Sequence, residues 1–226
     1  MDLLLCAATV AEIEPTVNWL RARAEGEAGN VLVFGQLRVE VLFTGVGPVA
    51  TAFALGQRFA AQPLPQLAIQ AGVGGALDTK LTLGEVVNVA TDRFADLGAE
   101  DRDGSLLSLD AIGLPPGPPF APDGQLAAPP PLAALPFPTV HGLTVARASG
   151  SQTTIDRLRH HFPAAQTESM EGAAFLYACL RSGVEPLQLR AISNYVTPRD
   201  RTAWRMAEAI RNLNVSLQNL LTAFLP

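Results

Sequence analysis

The sequence predicts an α/β fold in which helices cover both faces of a mostly parallel or mixed β-sheet. Three observations carry this expectation: short, solidly apolar runs rich in β-branched residues, helical patterns interleaved between them, and one long amphipathic stretch near the C-terminal end. With 226 residues, 48% of them hydrophobic, the chain can bury one sizeable core, and a single domain over residues 1–226 is expected.

The elements follow in order. Residues 2–8 form an opening apolar run, and 12–24 read as a helix with Pro15 suited to its first turn. A strand over 39–43 leads to a helix over 48–61, and strands follow over 66–71 and 85–91. From Leu114 to Pro138 the periodicity disappears, and ten of the eighteen prolines fall there. Such a segment supports neither a helix nor a central strand, so it is expected to run over the surface, as an inert loop or as a lid. Beyond it lie a strand over 140–148, helices over 152–161 and 171–182, and a strand over 186–193. Ile210, Leu213, Leu217, Leu220 and Phe224 then step by three and four, which makes one apolar stripe on a C-terminal helix. Strands this apolar imply burial on both faces.

Composition excludes several classes of function. A formal charge of -5 with 16% charged residues leaves no basic stripe for a phosphate backbone, so no nucleic-acid partner is expected. The run from Met1 to Ala8 lacks a positive flank and is far shorter than the ~20 residues of a membrane span, so it reads as a strand and neither a signal nor an anchor. Cys6 and Cys179 sit in apolar surroundings and read as buried thiols. His141, His160 and His161 show no metal-ligand spacing, and no metal is expected.

Ligands in such folds sit beyond the carboxyl ends of the strands. After the first strand come Glu12 and Glu14, near a helix N-terminus where negative charge is favourable in itself. Thr44-Gly45-Val46-Gly47-Pro48 and Ala71-Gly72-Val73-Gly74-Gly75 read as turns, plain or closely approached by a flat ligand. Neither matches a dinucleotide fingerprint or a phosphate-binding loop. Asn194, after the strand over 186–193, is either an ordinary turn residue or a paired donor and acceptor for a ligand edge. Arg190, alone in an apolar strand, needs a buried anionic or carbonyl partner and reads as structural.

The stretches AATVAEIEP, TGVGPVATAFALG, QAGVGGAL, GEVVNVATD, RHHFPAAQTESMEGAAF and LRAISNYVTPRDRTAW, in this order, resemble the nucleoside phosphorylase and nucleosidase superfamily. Within it the chain looks like the hydrolytic branch of the methylthioadenosine/S-adenosylhomocysteine nucleosidases. It is most similar to the futalosine hydrolase family of menaquinone biosynthesis, through DLGAEDRDGSLLSLDAIGL, ESMEGAAF and ISNYVTPRDR. The resemblance covers nearly the whole chain except the Pro-rich segment. It implies a three-layer α/β/α sandwich around a twisted mixed sheet, no cofactor, and hydrolysis of a purine nucleoside in the cytoplasm by a homo-oligomer, a dimer or higher.

The resemblance also implies roles. Glu171 binds the ribose hydroxyls and Met170 packs against the sugar, while Glu12 deprotonates the attacking water, with Glu14 as the fallback. Gly72, Val73, Gly74, Gln152 and Thr153 count among the substrate-binding positions, and Glu168, outside the motif, is structural. Relatives acting on adenine nucleosides carry aspartate where this chain has Asn194, whose amide suits the acceptors of an oxo-purine such as hypoxanthine. The loop after the first strand has neither the glycine nor the cation of a phosphorylase, which favours water over phosphate. Arg199 and Arg201 are candidate partners for the benzoate of futalosine, and equally solvated loop arginines. Two other readings remain: a nucleosidase or phosphorylase for another purine nucleoside, and a silent purine-binding module.

Overall fold

The computed structural model describes residues 1–61, 63–130 and 134–226. Its strands are β1 (Asp2–Ala7), β2 (Gly26–Ala28), β3 (Val31–Phe34), β4 (Leu37–Phe43), β5 (Leu67–Ala76), β6 (Val86–Asp92), β7 (Gly98–Glu100), β8 (Leu106–Ser108), β9 (Leu126–Ala127), β10 (Thr139–Thr144), β11 (Thr167–Ser169) and β12 (Glu185–Tyr195). The α-helices are α1 (Val10–Arg21), α2 (Pro48–Ala61), α3 (Gln152–His161), α4 (Gly172–Ser182) and α5 (Met206–Thr222).

The main sheet runs β2-β3-β4-β1-β5-β12-β6-β10-β11, with β9 paired to β6. β4, β1, β5 and β12 lie parallel, whereas β12 meets β6 antiparallel, so the sheet is mixed as expected. β11 pairs with β10 on one side and with the far half of β5 on the other, which closes the strands from β5 to β11 into a ring. β7 and β8 form a separate hairpin.

Alternation along β1 explains the layers. Leu3, Leu5 and Ala7 join the core beneath α1 and α5, while Leu4 and Cys6 face the opposite core under α2 and α4. Each side chain from Leu3 to Ala7 therefore leaves water, which is why that run is apolar without a break. Both thiols, Cys6 and Cys179, are buried and unpaired. Among the described residues, no helix is long and apolar enough to cross a membrane.

Several boundaries differ from the sequence expectation. The glycine run after residue 71 is not a turn, because β5 continues through it to Ala76. β12 likewise carries on through Ser193 and Asn194 to Tyr195, with a register irregularity between Ile192 and Asn194. α1 begins two residues earlier than expected and ends at Arg21, and β10 stops at Thr144. The short strands β2, β3, β7, β8, β9 and β11 span two to four residues each, too few for periodicity to show.

Within the Pro-rich stretch the described residues are mostly exposed, and Leu126 of β9 is buried. Pro116, Phe120 and Pro122 border a cavity beside Arg93 and Phe162. Pro129, Pro130 and Ala134 to Phe137 border another at the starts of β5 and β12, against α5.

Candidate active site

Helix α1 follows β1 directly, and its first turn turns Glu12 inward, leaving it 8% exposed. Glu12 Oε2 accepts from the Thr9 backbone N–H (2.9 Å) and from Thr9 Oγ1 (3.0 Å), which ties it to the start of its own helix. Its other oxygen, Oε1, accepts from the Val73 N–H of β5 at 3.2 Å. The carboxylate thus serves the helix end with one oxygen and reaches across the sheet with the other. Glu14 lies exposed on the outer side of α1.

Glu171 is the N-cap residue of α4, yet its side chain makes no capping bond. Instead Oε1 accepts from the Gly47 N–H at 3.0 Å, and Oε2 meets Arg190 Nη1 at 3.2 Å. Gly47 has φ of 94°, so the turn after β4 requires glycine to aim that N–H inward. Met170, half-buried, packs against the apolar cluster that includes Leu143, Val145 and Val196.

Arg190 pairs with Glu171 and lies beside Glu12 across the bare α-carbon of Gly72. It is 1% exposed and reaches from β12, with Nη2 donating to Gln70 Oε1 at 2.7 Å. A Cβ placed on Gly72 would stand 2.5 Å from Arg190 Nη1 and 2.9 Å from Glu12 Oε1. Glycine is therefore present for close approach and not for bending, since any side chain would separate these groups. Glu12, Arg190 and Glu171 meet on one side of β5. The partner that Arg190 was expected to need is Glu171 itself, which the sequence reading had assigned elsewhere. Among the described residues, the Nε of Arg190 and the Nε2 of Gln70 are buried without hydrogen-bond partners.

Farther along β5, Asn194 Nδ2 lies 3.2 Å from the Cβ position of Gly75. Gly75 lies roughly 10 Å along the strand from Gly72 and, three residues on, faces the opposite side, whereas Gly72 and Gly74 both face Arg190. Asn194 Oδ1 accepts from Ser193 Oγ (2.9 Å), and Nδ2 donates to the Tyr195 carbonyl (3.0 Å), so one amide hydrogen stays free. Gly74 packs against Thr167 Oγ1, and its carbonyl accepts from Ser193 Oγ.

The remaining candidates, Gln152, Thr153, Arg199 and Arg201, are exposed. Gln152 and Thr153 are exposed on the first turn of α3, and Gln152 donates to Asp156 of the same helix. No hydrogen bond joins either of them to the acidic pair. The Arg199 N–H donates to the Gly150 carbonyl, and its guanidinium stands 5.4 Å over the Trp204 ring. Arg201 is exposed in a short 3₁₀ turn, and among the described residues neither arginine has an ionic partner. Glu168 accepts from the Ser149 N–H and hydroxyl, and burial raises its carboxyl above the usual range. It anchors the loop that reaches Arg199, a contact that local sequence does not reveal. Trp204, which the sequence reading did not single out, supplies the ring beneath Arg199.

The phosphorylase superfamily model matches residues 3–226. Futalosine hydrolase of Streptomyces coelicolor is 35% identical over 190 residues, covering 80% of this chain and 77% of that protein. Futalosine hydrolase of Acidothermus cellulolyticus is 32% identical over 216 residues, covering 93% and 86%. Among solved structures, futalosine hydrolase of Helicobacter pylori superposes with a TM-score of 0.80 at 17% identity, over 99% of this chain and 98% of that one. The 5′-methylthioadenosine/S-adenosylhomocysteine nucleosidase of Neisseria meningitidis, in complex with methylthio-immucillin-A, gives 0.75 at 18% identity over 98% and 99%.

Proposed function

Since the chain belongs to the phosphorylase superfamily, and within it to the futalosine hydrolase family, we propose that it cleaves the N-glycosidic bond of futalosine with water. The products are hypoxanthine and dehypoxanthine futalosine, the latter destined for menaquinone biosynthesis. The observation that carries the mechanism is that Glu12 and the ion pair of Glu171 with Arg190 converge at Gly72 of β5.

Glu171 accepts from the ribose hydroxyls, and its charge favours the cationic sugar that develops as the bond to the purine breaks. Arg190 holds that carboxylate in place, because breaking a buried pair leaves an uncompensated charge. Glu12 Oε1 orients water and takes its proton as the water oxygen bonds to the sugar carbon. The electron pair of the broken bond leaves with the base, where an Asn194 N–H meets N7 or O6 and solvent supplies the proton. Met170 lines the sugar, and the β5 backbone over Gly72, Val73 and Gly74 lies beneath the nucleoside. Gln152 and Thr153 border the base side.

Water is favoured over phosphate by electrostatics. The cation nearest the acidic pair, Arg190, is already engaged by Glu171 and Gln70. A phosphate dianion beside two carboxylates would be repelled without further compensation. For the benzoate end of the substrate, Arg199 over Trp204 offers a cation and an aromatic face together, with Arg201 close by in sequence.

Two further elements belong to this proposal. A homodimer forms over α2 and the turn before it, where Val46, Val49 and Phe53 are 57%, 82% and 65% exposed. These residues flank Gly47, which binds Glu171, so a second copy would close the site. The unpaired buried thiols support a reducing, cytoplasmic setting.

The test is hypoxanthine release from futalosine, compared with turnover of inosine and 5′-methylthioadenosine, with and without phosphate. Phosphate-independent turnover of futalosine alone is expected, and Asn194→Asp should shift preference toward the 6-amino purine. Phosphate-dependent cleavage, or no turnover despite purine binding, would overturn the proposal.

A further inference from the structure

Asp92 lies outside the groups used above, at the end of β6, and is 1% exposed. Its Oδ1 accepts from the Arg93 N–H (2.8 Å) and from Thr144 Oγ1 (2.9 Å), and its Oδ2 accepts from Gln188 Nε2 (3.0 Å). Thr144, fully buried at the end of β10, accepts in turn from the Ala173 N–H at 2.7 Å. Ala173 is the second residue of α4, directly after Gly172 and Glu171.

A hydroxyl has a single proton. Because that of Thr144 goes to Asp92, its lone pair is left facing the helix. The first turn of α4 therefore receives a cap from another strand, where a helix ordinarily uses its own N-cap side chain. This frees the N-cap residue, Glu171, to bind Gly47 and Arg190. The fit is close: a Cβ on Gly172 would fall within 2.1 Å of Asp92 Oδ2, and one on Gly142 within 2.7 Å. The glycine that follows Glu171 is thus the space that this carboxylate occupies.

We propose that Asp92, acting through Thr144, is a positioning residue for the sugar-binding carboxylate: the relay caps α4 externally and so sets the aim of Glu171. This rests on the nucleosidase reading of the site. The charged group acting on Asp92 is Arg190 from β12; Arg93 meets it through its backbone N–H, its guanidinium being paired with Asp123, and Gln188 and Thr144 are neutral.

The experiment compares Thr144→Val, which keeps the shape but removes the relay, with Thr144→Ser, which keeps the hydroxyl. Both are measured for kcat and KM on whichever purine nucleoside the wild type turns over fastest, for hypoxanthine affinity by calorimetry, and for melting temperature. Thr144→Val is expected to lose about 100-fold in kcat/KM, as for a misplaced catalytic group. Its hypoxanthine affinity should stay within about twofold and its fold intact, and Thr144→Ser should recover most of the activity. Wild-type kcat/KM in Thr144→Val, or a parallel loss of hypoxanthine binding, would overturn the assignment. Should Thr144→Val not fold, Thr144→Ser and Asp92→Ala decide: a Ser variant as impaired as the Ala variant removes the relay. Absence of turnover by the wild type on every nucleoside would instead sink the nucleosidase reading, so the two failures are distinguishable.

Discussion

At the scale of single residues, charge is buried where it is used and carries a cost. Burial pushes the Asp92 carboxyl up to about 6, against hydrogen bonds from Gln188 and Thr144 that pull it down. The folded value thus exceeds the unfolded one, and the native state holds the proton more tightly. Between pH ~4 and ~6 stability from this group falls as pH rises, by about 3 kcal/mol in all, and the penalty is fully present above that window. Asp92→Asn removes it, since the new amide can donate to Gln188 Oε1, which has no partner now. The melting temperature of Asp92→Asn relative to wild type should therefore rise as pH goes from 4 to 7. A difference that does not change with pH would contradict the assignment.

What could be read at this scale from the sequence divides by range. Glu12 and Glu171 stand in distinctive local stretches, and the resemblance singles them out. Arg190 reads as structural because a lone arginine in an apolar strand does not announce which carboxylate it meets, and Glu171 lies nineteen residues away. Asp92 ends an ordinary strand, and nothing local says that Thr144 and α4 lean on it.

At the scale of elements, the central lesson is β5. In sequence, glycine clusters signal turns, because local conformational freedom is what sequence shows. Here Gly72 and Gly75 sit inside a strand, where Arg190, Glu12, Val196 and Asn194 pack onto their bare α-carbons. That reason is tertiary, and only the fold reveals it. Gly72→Ala would drive a methyl against Arg190 Nη1, and the guanidinium, pinned by Gln70 and Glu171, has no room to retreat. We expect kcat/KM to drop about 100-fold, with a stability loss of about 1–3 kcal/mol from overpacking. Unchanged steady-state kinetics would show that the three groups are not held together through this contact. The other central strands and the five α-helices were legible from periodicity, with ends displaced by a few residues.

At the scale of the whole molecule, two halves of the chain build one site. Glu12 and Gly72 come from the first half and Glu171, Arg190 and Asn194 from the second, and the pairing of β5 with β12 and β11 brings them together. In the homodimer we propose, the α2 face would extend the same logic to a second copy. Replacing Phe53 by Glu on that face should convert a dimer to a monomer in light scattering and lower activity together with it. A monomeric wild type of full activity would remove α2 from the proposal.

In the mechanism we propose, Glu12 activates water beside an ion-paired Glu171 that steadies a sugar cation. The most direct measurement is kcat for hypoxanthine release by Glu12→Gln in phosphate-free buffer. It should fall by about 1,000-fold or more with KM little changed, as expected when a transition-state interaction is lost and ground-state binding is kept. Turnover at the wild-type rate would contradict the mechanism.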